Sequence, residues 1–200
     1  MNDLHLELLG SPGWRRYLAD NLLPWVLGVV DLGDEVLEIG PGPGLTTDLL
    51  SQQVDRLTAL EIDDALASSL ATRLAGTNVE VIHGDATASG LPADRFSAVT
   101  CFTMLHHVPS PALQDLLLDE VHRVLRPNAM FVGTDATDTP ALRDLHLDDV
   151  FVPIESTSFG KRLERAGFVD IEIEDEDSRL RFIARKPKDS SGATGTQPRL

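Results

Sequence analysis

Five short apolar runs, at residues 35–39, 56–61, 79–82, 98–102 and 130–134, alternate with segments whose apolar residues recur three and four positions apart. Runs of this length without polar alternation suit strands buried on both faces, and the amphipathic segments between them suit crossover helices. Strand, helix and strand in repeated order predict a largely parallel sheet with helices on both sides. The crossover helices are expected at 45–53, 64–74 and 113–125. Residues 12–30 read as one or two helices, bent or restarted at Pro24 because proline cannot donate a helix hydrogen bond. The C-terminal third changes character. A helix at 158–166 stops at Gly167, after which "FVDIEIE" and "RLRFIAR" alternate apolar with polar residues around "DEDS", the pattern of a hairpin. The expected fold class is therefore α/β: a doubly wound sheet of seven strands, mostly parallel, with an antiparallel C-terminal hairpin and helices on both faces.

A chain of 200 residues has room for one such core and hardly for two. Residues 1–34 are expected to form a helical cap, 35–186 the ligand-binding domain, and 187–200, polar and rich in Gly, Ser and Pro, a disordered tail. Seventeen basic against 32 acidic side chains leave a net charge of −15, a surface that repels polyphosphate. Nucleic acid and an anionic membrane are accordingly not expected as partners. Cys101 is the single cysteine, which excludes an internal disulfide framework and fits a reducing cytoplasm. It lies inside an apolar run and reads as a small core residue. Nothing in the sequence has the length and apolarity of a membrane span.

In an open parallel sheet, ligands bind outside the carboxyl ends of the strands where the strand order reverses, usually after the first strand. "VLEIGPGPGLTT", residues 36–47, sits there. Gly40, Gly42 and Gly44 can adopt backbone conformations closed to other residues and admit a ligand close to the main chain. A dinucleotide fingerprint wants glycine at the first, third and sixth positions, but the sixth position here is Leu45. Glu38 would oppose a pyrophosphate and would suit a ligand that carries positive charge. Glu61 ends the second strand, where an acid can hold a ribose diol, and Asp85 follows the third, within reach of an adenine amine. Each acid alone is equally a solvated strand end or a helix cap. Three in this order, after this loop, form a pattern.

These residues, with "LPADRFSAVTCFTMLHHV", "EVHRVLRPNAMFVGTD" and the helix exit through Phe159, Leu163, Ala166, Gly167 and Phe168, resemble the class I S-adenosylmethionine-dependent methyltransferases of the small methyltransferase-domain type. The resemblance covers residues 36–186 and implies a Rossmann-like fold that ends in an antiparallel hairpin. It implies S-adenosylmethionine as cofactor, S-adenosylhomocysteine as product, and cofactor contacts at Glu38, Gly40, Gly42, Glu61, Ile62, Asp85, Ala86 and Phe102. The family commonly has Gly-Gly where this chain has Asn128 and Ala129; asparagine tolerates that turn.

Methyl transfer is an in-line displacement at an activated carbon, and the protein chiefly aligns nucleophile, methyl and sulfur. Some acceptors need a base, and His106 and His107 in "MLHHVPS" are the candidates. "LHH" is equally a packing element in these enzymes. Trp14, Tyr17, Asp135 and His146 are candidate linings of the acceptor pocket, with Asp138 nearby. For Trp14 and Tyr17 the alternative is core packing, and for the acids of "TDATDTPALRDLHLDD" a solvated loop. His5, His83 and His122 have no metal-ligand spacing, and no metal is expected. The expected activity is methylation of an oxygen or nitrogen of a small molecule by a monomer or homodimer. The first half also resembles the ribosomal RNA adenine dimethylases, but "CFTMLH" stands where those enzymes carry Asn, a proline pair and an aromatic residue. A third reading is a protein that binds the cofactor without turnover.

Overall fold

The structure, a computed structural model, describes residues 2–176 and 178–188. The expected tail lies outside the described residues beyond 188, as does the side chain of His5. Two short helices, α1 (Asp3–Leu9) and α2 (Pro12–Tyr17), lead through a π-helical turn at Leu18–Leu22 into α3 (Leu23–Leu27). The alternating body follows: β1 (Glu35–Ile39), α4 (Leu45–Leu50), β2 (Arg56–Glu61), α5 (Asp64–Arg73), β3 (Val79–His83) and β4 (Phe96–Phe102). A 3-10 turn at Leu105–His107 precedes α6 (Pro111–Val124), β5 (Leu125–Ala136), α7 (Pro140–Leu145), α8 (Ser156–Arg165), β6 (Val169–Glu176) and β7 (Arg179–Arg185). The strands form one sheet in the order β3-β2-β1-β4-β5-β7-β6. All neighbours pair in parallel except β5 with β7 and β6 with β7.

Strand alternation divides the core between the two faces of the sheet. Leu37, Ile39, Val99, Cys101 and Phe131 point to one face and pack with Leu117, Val121, Phe159 and Leu163 of α6 and α8. Val36, Ala98, Phe102 and Val132 point to the other and meet Leu18, Leu22, Leu23 and Val26 from the N-terminal helices. The helices and strands start for local reasons. Ser110 accepts a hydrogen bond from the Leu113 N–H at the head of α6, and Asp63 accepts one from Leu66 at the head of α5.

Within residues 12–30 a helix restarts at Pro24, as expected: Pro24 occupies the first turn of α3, where its missing N–H costs no helix bond, and a π-helical turn lies upstream. One expectation needs correction. The segment "TDATDTPALRDLHLDD" is not all loop. Thr139 accepts a hydrogen bond from Leu142 N–H, Pro140 opens the helix, and α7 forms. As anticipated, Asn128 takes a left-handed conformation, φ 68°, inside an irregularity where β5 leaves α6.

Candidate functional site

Because β1 lies between β2 and β4, the connections that leave it and β4 run to opposite faces, and a crevice opens above their carboxyl ends. A cleft of about 470 Å³ occupies it. Gly40, Gly42, Glu61, Ile62, Asp85 and Ala86 line one end, together with Phe102 at the end of β4.

The loop after β1 is left-handed at Gly40, φ 65°, and at Gly42, φ 54°. A Cβ on Gly40 would lie 2.2 Å from Met104 Cγ, whereas one on Gly42 would meet nothing within 4 Å. Gly40 thus lets the loop pack on the β4 exit, and Gly42 presents bare backbone to the cleft. Glu61, almost fully buried, accepts hydrogen bonds from Gly42 N–H at 2.9 Å and Asp63 N–H at 3.0 Å. Arg73 grips the same loop through the carbonyls of Pro43, 3.2 Å, and Gly44, 3.3 Å. Asp85 is exposed at the rim, and its Oδ1 accepts from Thr87 N–H and Oγ1, both at 2.8 Å. Ile62 is 66% exposed on the cleft wall, an apolar face without protein cover.

Glu38 is placed differently from its neighbours. Strand alternation turns it to the N-terminal-helix side, 1% exposed, outside the cleft lining. Its carboxylate accepts from the hydroxyls of Thr46 and, at 2.6 Å, Thr47 on α4. Burial pushes its pKa up to about 7 against the pull of those two hydroxyls, with Glu61 and Asp48 adding repulsion.

At the other end of the cleft, Leu9, Trp14 and Leu18 descend from the N-terminal helices toward Met104, His107 and Asp149. Thr103, a β-branched residue at φ 50°, turns the chain out of β4 here, held by its N–H to Thr134 O at 2.7 Å. Asp149 takes hydrogen bonds from the N–H groups of Asn2, 3.0 Å, and Val150, 2.8 Å. Burial alone would raise its pKa, but those donors and His107 outweigh it and hold the carboxyl below its ordinary range.

Of the other sequence candidates, His106, Tyr17, Asp135 and His146 do not line this cleft. Tyr17 stacks on Trp14 with ring centroids 5.3 Å apart and accepts a hydrogen bond from Arg179 of β7, so it anchors the helices to the hairpin. His106, Asp135 and His146 are buried behind His107, with His106 Nδ1 2.6 Å from Asp135 Oδ1. Asp138 pairs with Arg143 at the surface. Asp149, Arg73 and the two threonines under Glu38 were not singled out from the sequence. Nothing local marks them, since each reaches the site through a contact distant in sequence or through a helix face.

The fold and cleft define an open α/β protein with a cleft at its topological switch point. Residues 36–128 match the family model described as methyltransferase domain. A ribosomal RNA small subunit methyltransferase A of Ligilactobacillus salivarius is 39% identical over 83 residues, 40% of this chain and 28% of that protein. A ubiquinone biosynthesis O-methyltransferase of Stutzerimonas stutzeri is 31% identical over 83 residues, 40% of this chain and 36% of that one. The chain thus spans about a third of the length of these two relatives. The crystal structure of a SAM-dependent methyltransferase from Aquifex aeolicus superposes with a TM-score of 0.72 at 19% identity, covering 92% of this chain and 98% of that one. Residues 36–128 thus match a methyltransferase domain, and the fold is that of S-adenosylmethionine-dependent methyltransferases of known structure, a class whose cofactor is S-adenosylmethionine.

Proposed function

We propose that this protein transfers the methyl group of S-adenosylmethionine to an oxygen or nitrogen of a small molecule in the cytoplasm. One observation carries the reading: a single cleft is lined both by a glycine loop and strand-end acids and by Trp14, His107 and Asp149. Glu61 and Asp85 hold the ribose and the adenine amine, Gly40 and Gly42 bring backbone to the amino-acid part, and Ile62, Ala86 and Phe102 supply apolar contact. Glu38 acts from beneath the loop as a buried negative partner for a cationic ligand. His107 faces the acceptor, and His106, held by Asp135, positions it from behind. An ionised Asp149 favours an acceptor with a hydroxyl or amine to donate. The roof of Leu9, Trp14 and Leu18 and the charge of −15 argue against a folded RNA, although several relatives are named for ribosomal RNA.

Calorimetry with S-adenosylhomocysteine tests the cofactor half. Glu61→Ala and Asp85→Ala should each weaken binding about tenfold or more, the loss of hydrogen bonds to a bound ligand; unchanged affinity in both overturns the placement. Mass spectrometry of reactions with S-adenosylmethionine and panels of phenols, amines and ribosomal RNA fragments tests the acceptor half. Methylated phenol or amine is expected. Label found in RNA alone establishes the other reading, and no turnover with intact binding leaves a cofactor-binding protein.

A further inference from the structure

Behind the acceptor corner, three imidazoles converge from two separate parts of the chain. His106 and His107 sit on the 3-10 turn after β4, and His146 follows α7, 39 residues beyond His107 by subtraction of their numbers. Their ring centroids are 4.2 Å apart for His106 and His107, 4.9 Å for His106 and His146, and 5.1 Å for His107 and His146. One ring nitrogen from each lies within 4.8 Å of the other two.

The hydrogen bonds around the rings fix which nitrogens face inward. His106 Nδ1 is 2.6 Å from the Asp135 carboxylate, and His146 Nδ1 is 2.6 Å from the Leu142 carbonyl. Both partners are acceptors, so each Nδ1 carries a proton, and in the neutral imidazole Nε2 then holds the lone pair. A histidine that donates one N–H to a carboxylate or carbonyl, leaving the other nitrogen basic, has the arrangement of a metal ligand with its outer-shell support. Asp135 adds an independent observation. It is 1% exposed, Oδ1 accepts from His106 and from Ala136 N–H, and Oδ2 is buried with no hydrogen-bond partner among the described residues. A carboxylate that deep needs a nearby cation to offset its desolvation.

We infer that His106, His107 and His146 form a binding site for one divalent first-row transition ion, with Zn²⁺ foremost and Asp135 as the carboxylate behind it. Three imidazoles suit zinc, iron or nickel and not magnesium or calcium, which take oxygen ligands. Zinc–nitrogen bonds of about 2.0–2.1 Å in a tetrahedron separate nitrogens by about 3.3 Å, so the rings close by roughly 1.5 Å on loading, a movement within side-chain rotation. Three protein ligands leave one coordination position for water or a ligand oxygen. Through His107 the cluster borders the cleft. A role for the ion in holding an oxygen acceptor rests on the methyltransferase reading, whereas metal binding itself does not.

The test uses the full chain, produced without a polyhistidine tag, stripped with chelator and titrated with Co²⁺ alone. The expected result is one equivalent bound per chain, with visible ligand-field bands of a four-coordinate nitrogen-containing site and displacement by Zn²⁺. His146→Ala and His107→Ala should weaken binding at least tenfold, Asp135→Asn about 10–100-fold, and the exposed His83→Ala should leave it unchanged. His107 is only half-buried, so that variant keeps the test meaningful where truncation of His146 perturbs folding, which near-ultraviolet circular dichroism reads. Absence of saturable Co²⁺ binding by the folded chain, or equal binding in His107→Ala, overturns the inference. S-adenosylhomocysteine titrations of the same samples separate this from the proposed function: lost metal binding with intact product binding leaves methyl transfer standing, and the reverse leaves the metal site standing.

Discussion

Glu38 shows how one residue can be recognised from the sequence and still be misplaced by it. Its rank before the glycines suggested a direct partner for a cationic ligand. Alternation along β1 instead sends it under the loop, where Thr46 and Thr47 donate to both oxygens. Its pKa of about 7 lies above the ordinary carboxylate value, so the folded state binds the proton more tightly than the unfolded chain. The sign follows. Below about pH 4.5 both states are protonated and nothing is lost, stability falls as the pH rises through about 7, and above that the full cost is present. Glu38→Gln mimics the protonated form. Urea unfolding should find it close to the parent at pH 4.5 and more stable at pH 8 by roughly 1–3 kcal/mol; a gap that does not change with pH contradicts the assignment.

At the scale of elements, the N-terminal helices do two jobs at once. Leu18, Leu22, Leu23 and Val26 seal one face of the sheet, while Trp14 and Leu18 also roof the cleft. The π-helical turn at Leu18–Leu22 rotates the helix between these duties, and Arg179 ties Tyr17 to the hairpin. Leu22, 1% exposed, is therefore core and not cap. Leu22→Ala should cost about 2–5 kcal/mol in denaturant unfolding. A loss under 0.5 kcal/mol would mean that the helices ride on the domain without stabilising it.

For the whole molecule, the sheet separates its two larger apolar clusters, which share no buried side chains. Leu22 belongs to one and Phe159 to the other, on opposite faces. The losses in Leu22→Ala and Phe159→Leu should add within about 0.5 kcal/mol in the double variant, as they do for sites without common partners. Both variants should retain a single unfolding transition whose midpoint rises with S-adenosylhomocysteine, because ligand that binds only the native state stabilises it by mass action. A two-step transition would show that the faces unfold as separate units.

The amino-acid order alone determined the sheet class, the closing hairpin, the glycine loop and the strand-end acids Glu61 and Asp85, because these follow from period-two and helical patterning and from turn chemistry written in consecutive residues. Even α7 was legible in principle through Thr139 and Pro140. Tertiary structure alone decided the rest: which face Glu38 takes, that Arg73 clamps the loop, that Asp149 meets His107, and that His146 joins His106 and His107 before Asp135. Such contacts join distant segments: Arg73 reaches back 30 residues to Pro43, and Asp149 pairs with Asn2, 147 residues away. They form only when the strand order brings the ends of β1, β4 and β5 side by side, and no local pattern encodes that adjacency.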